Sequence, residues 1–310
     1  LEQKILYQTC RAQQEKVDFI MMTKNYAKHL AIHGYVVIRN FLSQYEIQEF
    51  ITDAANTRVP AADQGLIYNE NWLGEKNVSA VLHKLEVLMQ LARLSNIQVD
   101  VLSNLLPLYI ERRPDHVDEW HQDAQPWWQF QNSTNSLNIW IPLIKASSAH
   151  SGVEVISWHD LDSRLSPAVL KDIKGRGALT FDTVDHRTQV FDRTDESTWE
   201  LDVDLDQLAI PLDMAAGDVL LMRDDLIHRT QQPTEKRLAF KLRCLNSQGQ
   251  LTKDTFANVV CHKPMFYSQS QHRILHQSMQ KLFLTQDTVS VNEVLRMTDC
   301  LIQQEINNNL

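Results

Sequence analysis

Apolar residues in the first third of the chain recur at helical spacing. Between Val78 and Leu94, the residues Val81, Leu85, Leu88 and Leu91 or Ala92 fall on one face, three or four positions apart. The segment SQYEIQEFITDAA, starting at Ser43, is amphipathic in the same way. Ser43 and Glu46 have the spacing of a capping box at its start. The first 33 residues contain neither Gly nor Pro and read as helix. Gly34 breaks that pattern, and GYVVIRNF, residues 34–41, is β-branched and aromatic, which predicts a strand. Residues 57–75 read as loop.

From about residue 97 the pattern changes to short apolar runs separated by Pro, Gly, Asp and Ser. LPLYIERR, LNIWIPLI, GVEVISW, GALTFDTV, DVLLMRDD and RLAFKLRCL each predict a strand. Many short strands with long connections predict a β-sandwich or jelly roll. The tail from about Ser268 returns to helical spacing and predicts two helices, whose Leu295, Ile302 and Ile306 would pack on the core or on a second copy of the chain, as in a homodimer. The stretch from Leu161 to Ile210 is rich in acidic residues. It reads as a lid or extra hairpin with a solvated face. There is no internal repeat and no linker-like segment. The expected organisation is therefore a single domain over residues 1–310. It is mainly β with flanking helices: a helical N-terminal part over about 1–95, a β core over about 97–247 and a helical extension over about 268–310.

Composition narrows the function classes. The chain has 310 residues, 43% hydrophobic and 22% charged, as in ordinary globular proteins. No apolar run approaches the roughly 20 residues of a membrane span, so no membrane partner is expected. The net charge of −9 argues against a nucleic-acid surface. The four cysteines, Cys10, Cys244, Cys261 and Cys300, include no C-x-x-C pair. A disulfide framework or a zinc–cysteine site is not expected, and a reducing, cytoplasmic setting is the simplest reading.

The candidate chemistry lies in RRPDHVDEWHQDAQPWW, residues 112–128, which contains His-x-Asp twice: His116/Asp118 and His121/Asp123. Two histidines and one carboxylate on one face of an ion form a common site for redox-active iron, with the opposite positions left for cosubstrate and oxygen. On a strand, residues i and i+2 point the same way, so one His-x-Asp pair can supply two ligands. The two histidines are five apart, so on one regular strand they would face opposite sides. Asp123 is followed by Ala-Gln-Pro, a strand exit, whereas His116 follows Arg-Pro-Asp, a turn signal. These flanks favour His121/Asp123 without removing the other copy. The best second histidine is His228, which ends the apolar strand of AAGDVLLMRDDLIH. Arg237 opens the next strand and offers the bidentate fork that the distal carboxylate of a 2-oxoacid needs.

Taken together, GYVVIRNFLSQYEI, WHQD at 120–123, IWIPL followed by SGVEV, GDVLLMRDDLIH and RLAFKL resemble the phytanoyl-CoA dioxygenase family of iron(II)/2-oxoglutarate oxygenases. The resemblance covers about residues 25–245. It implies a double-stranded β-helix core, the cupin-like form of the jelly roll, and Fe(II), 2-oxoglutarate and O2 as metal, cosubstrate and oxidant. It implies His121, Asp123 and His228 as metal ligands in preference to His116 and Asp118, and Arg237 as the 2-oxoglutarate clamp. Trp140 matches a position that often lines the cosubstrate pocket. Asn138 shares its face by alternation, while Leu137, Ile139 and Ile141 point the other way. The chain departs from the pattern at Ala239, where related oxygenases often carry Ser. A second bond to the carboxylate would then come from Tyr109 or Thr230. The usual Pro-Gly-Ser-His reads ISWHD here, with His159 retained. A carboxylate at 123, rather than the Gly or Ala of related halogenases, implies hydroxylation or another oxidation.

The expected activity is oxidation of an unactivated C–H bond of a small metabolite, with 2-oxoglutarate converted to succinate and CO2. Trp127 and Trp128 would form an aromatic wall for the substrate, and Arg223 and Arg229 would meet an anionic group on it or pair with Asp224 and Asp225. Three other readings stay open: an acyl-CoA hydroxylase of the phytanoyl-CoA type, a cupin-type enzyme that does not use 2-oxoglutarate, and a non-catalytic jelly-roll binding protein.

Overall fold

The computed structural model describes residues 23–56, 66–68, 77–102, 108–112, 119–122, 136–145, 147–148, 152–176, 179–192, 196–231, 237–254, 256–257 and 270–309. Its strands, in chain order, are β1 (Tyr35–Ile38), β2 (Leu66–Tyr68), β3 (Val101–Leu102), β4 (Leu108–Arg112), β5 (Trp120–His121), β6 (Ser136–Ile144), β7 (Val153–Val155), β8 (Leu179–Val184), β9 (Arg187–Asp192), β10 (Thr198–Leu201), β11 (Ile210–Pro211), β12 (Val219–Arg223), β13 (His228–Thr230), β14 (Arg237–Leu245), β15 (Gln250–Thr252) and β16 (Thr288–Ser290).

Two antiparallel sheets hold most of these strands. The first has the order β1-β12-β6-β14-β4-β2, with β3 also paired to β14. The second runs β10-β9-β8-β5-β13-β7-β11. From β4 to β7 the chain alternates between the sheets, and from β11 to β14 it alternates back again. Two strand runs wound between two sheets in this way make the double-stranded β-helix, a jelly roll with helices outside it.

The alternation along β6 shows why both of its faces are apolar. Leu137, Ile139, Ile141 and Leu143 point outward into a core shared with the helices 23–33, Gln44–Asn56 and Asn77–Leu94. That core includes Leu30, Phe50, Leu85, Leu88, Leu91 and Ala92. Trp140 points inward to a second core that includes Val153 and Val155 of β7. A strand covered on both sides reads as a continuous apolar run, as LNIWIPLI does. On β14, Leu238, Phe240, Leu242 and Cys244 face the helices. Arg237, Ala239, Lys241 and Arg243 therefore share the inner face by period-2 alternation.

Local signals end the elements where expected. The Ser43 amide donates to Glu46 Oε2 at 2.7 Å, and the Glu46 amide donates back to Ser43 Oγ at 3.3 Å, which is the capping box in both directions. Ser290 and Glu293 repeat it before the helix Val291–Asn309. Gly34 (φ +82°) closes the helix 23–33, its amide donating to Leu30 O at 2.9 Å.

The structure differs from the sequence reading in three places. Residues 57–75 are not all loop, since β2 pairs with β4 within them. The segment Leu161–Ile210 does hold an extra hairpin, β8 paired with β9, but it also contains the rest of the helix Trp158–Arg164, a second helix Pro167–Ile173 and strand β10, and β8 to β10 widen the second sheet beyond β5. Between the C-terminal helices Ser270–Phe283 and Val291–Asn309 lies β16, which pairs antiparallel with β15 from before the first of them, a two-stranded sheet that the sequence reading lacked. The two helices close on a small core of their own, with Leu295 and Ile302 packed against it and Leu245 at the end of β14 joining it. Ile306 lies outside the described side chains. Among the described residues, no helix is long and apolar enough to cross a membrane.

Candidate active site

Strands β5 and β13 pair in the middle of the second sheet, and their register sets His121 directly opposite His228. The two rings stand 4.5 Å apart between centroids, at 48°. His121 Nδ1 lies 2.7 Å from Glu119 O, and His228 Nδ1 lies 2.9 Å from Leu226 O. A carbonyl oxygen only accepts, so each Nδ1 carries the hydrogen and donates it. The neutral ring then has its basic lone pair on Nε2, the tautomer of a metal-ligating histidine held by an outer hydrogen bond. Two adjacent imidazoles in this tautomer fit two of the three protein positions of a two-His-one-carboxylate iron site. Asp123, His116 and Asp118 lie outside the described residues, as do Trp127 and Trp128.

Arg237 starts β14 on the inner face and is buried. Its Nη1 donates to Gly152 O at 2.8 Å and its Nη2 to Thr230 Oγ1 at 3.1 Å. Its guanidinium carbon stands 5.9 Å from the centre of the Trp140 ring. Thr230 is two residues beyond His228 on β13, so the two side chains share a face. The structure thus brings together His121, His228, Thr230, Arg237 and Trp140. Tyr109 pairs by its backbone with Phe240 of β14, and its side chain is not among those described.

Lys145 is a charged neighbour of Arg237. Its ammonium donates to Ser148 O at 3.1 Å and to Met214 O at 2.9 Å. Burial and the nearby Arg237 cation bring it down to about 8, against the pull of Asp213 and Asp218. The sequence reading had no signal for it, because a Lys at a strand end looks like any surface cation.

Asn138 is buried on the inner face, as alternation predicted, and has its own role there. Its Nδ2 donates to Asp224 Oδ1 at 2.7 Å, Ser136 donates to the other oxygen of Asp224, and Arg243 sits directly opposite Asn138 in the neighbouring strand. Asn138 therefore belongs to a buried polar group at the β12–β13 turn.

Arg223 and Arg229 are engaged with acids. Arg223 makes a two-pronged pair with the buried Asp225 at 2.8 and 2.6 Å. Arg229 points to the opposite side of β13 from His228. It binds Glu154 at 2.7 Å and Asp206 at 2.8 Å, and it lies 4.2 Å over the Trp120 ring. Of the two partners read from the sequence for Arg223, Asp225 is the one used. The partners of Arg229 come from β7 and from the turn before β11, which sequence spacing does not reveal. His159 lies on the helix Trp158–Arg164, edge-on to His33 at 5.5 Å.

No family model matches the chain, and no curated protein matches it in sequence. Solved structures align with part of the chain. The non-heme alpha ketoglutarate dependent carbocyclase SnoK from nogalamycin biosynthesis aligns with a TM-score of 0.49 at 15% identity, covering 74% of this chain and 85% of its own. The epimerase SnoN, in complex with Fe3+, alpha ketoglutarate and nogalamycin RO, aligns at 0.47 and 16% identity, covering 74% and 86%. HygX from Streptomyces hygroscopicus, with nickel and 2-oxoglutarate bound, aligns at 0.43 and 15%, covering 71% and 85%.

Proposed function

We propose that this chain is an Fe(II)- and 2-oxoglutarate-dependent oxygenase acting on a small molecule. The observation that carries the reading is the paired tautomer. His121 and His228 face each other across β5 and β13, each with Nδ1 spent on a backbone carbonyl. Asp123, one residue beyond Gln122 in the sequence, is the carboxylate that would complete the ligand set. Iron held there supplies the oxygen chemistry when bound, with succinate and CO2 as the cosubstrate's products.

The remaining residues bind and orient. Arg237 offers a fixed cationic fork to the distal carboxylate of 2-oxoglutarate, and Thr230 holds that fork in the plane it needs. Trp140 lines the same space and excludes water from it. Trp127 and Trp128 are assigned to the substrate side on their place in the sequence, directly after the ligand segment. The test is anaerobic titration of the protein with Fe(II) and 2-oxoglutarate. Appearance of the visible charge-transfer band of the chelate, and succinate formation once air is admitted, is the expected result. A protein that binds Fe(II) without 2-oxoglutarate would be a cupin-type enzyme of another kind, and one that binds neither would be a binding protein.

A further inference from the structure

The residue between His121 and Asp123 is Gln122, and it is fully buried. Its backbone amide donates to Leu179 O at 2.9 Å, which holds the segment against β8. Its side chain does more. Nε2 donates to Ile173 O at 3.0 Å, at the end of the helix Pro167–Ile173, and to Asp225 O at 2.8 Å. Oε1 accepts from the Leu179 amide at 3.4 Å. An amide with one acceptor and two donors is spent here on three backbone groups.

The Asp225 carbonyl belongs to the turn between β12 and β13. The next carbonyl of that turn, Leu226 O, takes the Nδ1 hydrogen of His228. Two consecutive peptide units therefore hold the His121 segment, through Gln122, and the His228 ring. The turn is itself fastened. The Asp225 carboxylate accepts from Arg223 and, at 3.0 Å, from the Gly175 amide. Ile227 O accepts from the Ile156 amide at 2.9 Å. Outer hydrogen bonds of this kind set ring orientation, and their loss typically costs about 10–100-fold in metal affinity.

We propose that Gln122 is the positioning residue of the metal centre. It ties the ligand segment to the turn that orients His228, and so fixes how the two imidazoles face one ion. The inference rests on the iron-site reading above and adds a role for a residue that touches neither the ion nor the substrate. A side chain of similar length without an amide leaves Ile173 O and Asp225 O buried without that donor. The segment can then shift relative to the turn, and the two rings lose their common aim.

The experiment uses Co(II) as the probe, read by calorimetric affinity and by its visible ligand-field spectrum, on the full chain. Gln122→Met is expected to bind Co(II) about 10-fold or more weakly and to shift the spectrum. Asp225→Asn keeps the carbonyl but loosens the turn, and is expected to give a smaller change in the same direction. Thr298→Val removes a buried hydrogen bond between the two C-terminal helices and serves as the stability control, with affinity and spectrum unchanged. If Gln122→Met does not fold, Asp225→Asn and Arg223→Gln carry the test. Folded variants that bind Co(II) with wild-type affinity and spectrum overturn the positioning role alone. A wild-type chain that binds no Co(II) overturns the iron-site reading, and this inference with it.

Discussion

Arg237 reaches across from β14 to donate its Nη2 hydrogen to the hydroxyl of Thr230, 3.1 Å away on β13. Thr230 stands on the same strand face as His228, two positions along. This contact fixes the buried guanidinium relative to one of the paired histidines, although the two residues sit in different sheets. The Gly152 carbonyl holds the other arm of the fork at 2.8 Å. The guanidinium thus has a set orientation before any ligand arrives, which reduces the ordering cost of binding a carboxylate.

That arrangement predicts unequal losses of 2-oxoglutarate affinity. Arg237→Gln removes a charge-assisted pair and should weaken binding by about 10–100-fold, from roughly 1.5–3 kcal/mol. Thr230→Val removes one neutral hydrogen bond and should cost about 2–10-fold. Titration of 2-oxoglutarate into the metal-loaded protein reads both. Equal losses, or none at Arg237→Gln, would rule out Arg237 as the clamp.

The histidine pair predicts which His-x-Asp copy matters. His121→Ala should abolish tight Fe(II) or Co(II) binding, because β5 sets His121, by register, opposite His228. His116→Ala should leave metal affinity within about twofold, as expected for a change outside the ligand set. The opposite ranking in equilibrium dialysis would transfer the ligand role to the earlier copy.

Much of this site was legible in the chain because it follows local rules. The period-2 pattern of LNIWIPLI separated Asn138 and Trp140 from Leu137, Ile139 and Ile141; Trp140 joins one core, the three aliphatic residues join the other, and Asn138 bonds Asp224. Ser43 and Glu46 announced a capping box that forms as written. The order of His121, His228 and Arg237 suggested one site; the strand register sets the two histidines opposite each other, and Arg237 bonds Thr230, two positions beyond His228. Other features depend on which strands become neighbours. Arg229 finds Glu154 only because β13 lies beside β7. Gln122 finds Asp225 only because β5 and β13 pair, and a Gln between two candidate ligands gives no local sign of that. Strands β15 and β16 are too short to stand out as apolar runs, and they form because two helices close over Leu251 and Val289.

Gly34 predicts a large stability effect from a small change. Its φ of +82° disfavours any side chain, and an added Cβ would lie 2.3 Å from Trp158 Cδ1. Left-handed strain and overpacking together suggest a loss of about 2–4 kcal/mol for Gly34→Ala. A thermal melt should show a Tm several degrees lower. An unchanged Tm would mean that the helix 23–33 and the Trp158 ring move apart at little cost.

The histidines on the helix 23–33 predict how stability responds to pH. His29 and His33 stack at 4.2 Å, and His159 meets His33 at 5.5 Å. Burial, and then the charge of His33, lowers the His29 pKa below 6.5. Burial, and then His159, lowers that of His33 against the opposing pull of Asp160. A base whose folded pKa is depressed takes its proton more readily in the unfolded chain. Well above pH 6.5 both states of His29 and His33 are neutral and the pair has no pH-dependent effect. As pH falls below 6.5, the unfolded chain binds protons first and the fold loses stability, until the folded pKa values are passed. His276, which burial also depresses, adds to the same slope from the C-terminal core. Urea melts between about pH 5 and 7.5 should therefore show stability falling with acid, and His33→Asn should flatten the curve. A His33→Asn curve as steep as the wild type would place the acid sensitivity elsewhere, with His276→Asn the next variant to compare.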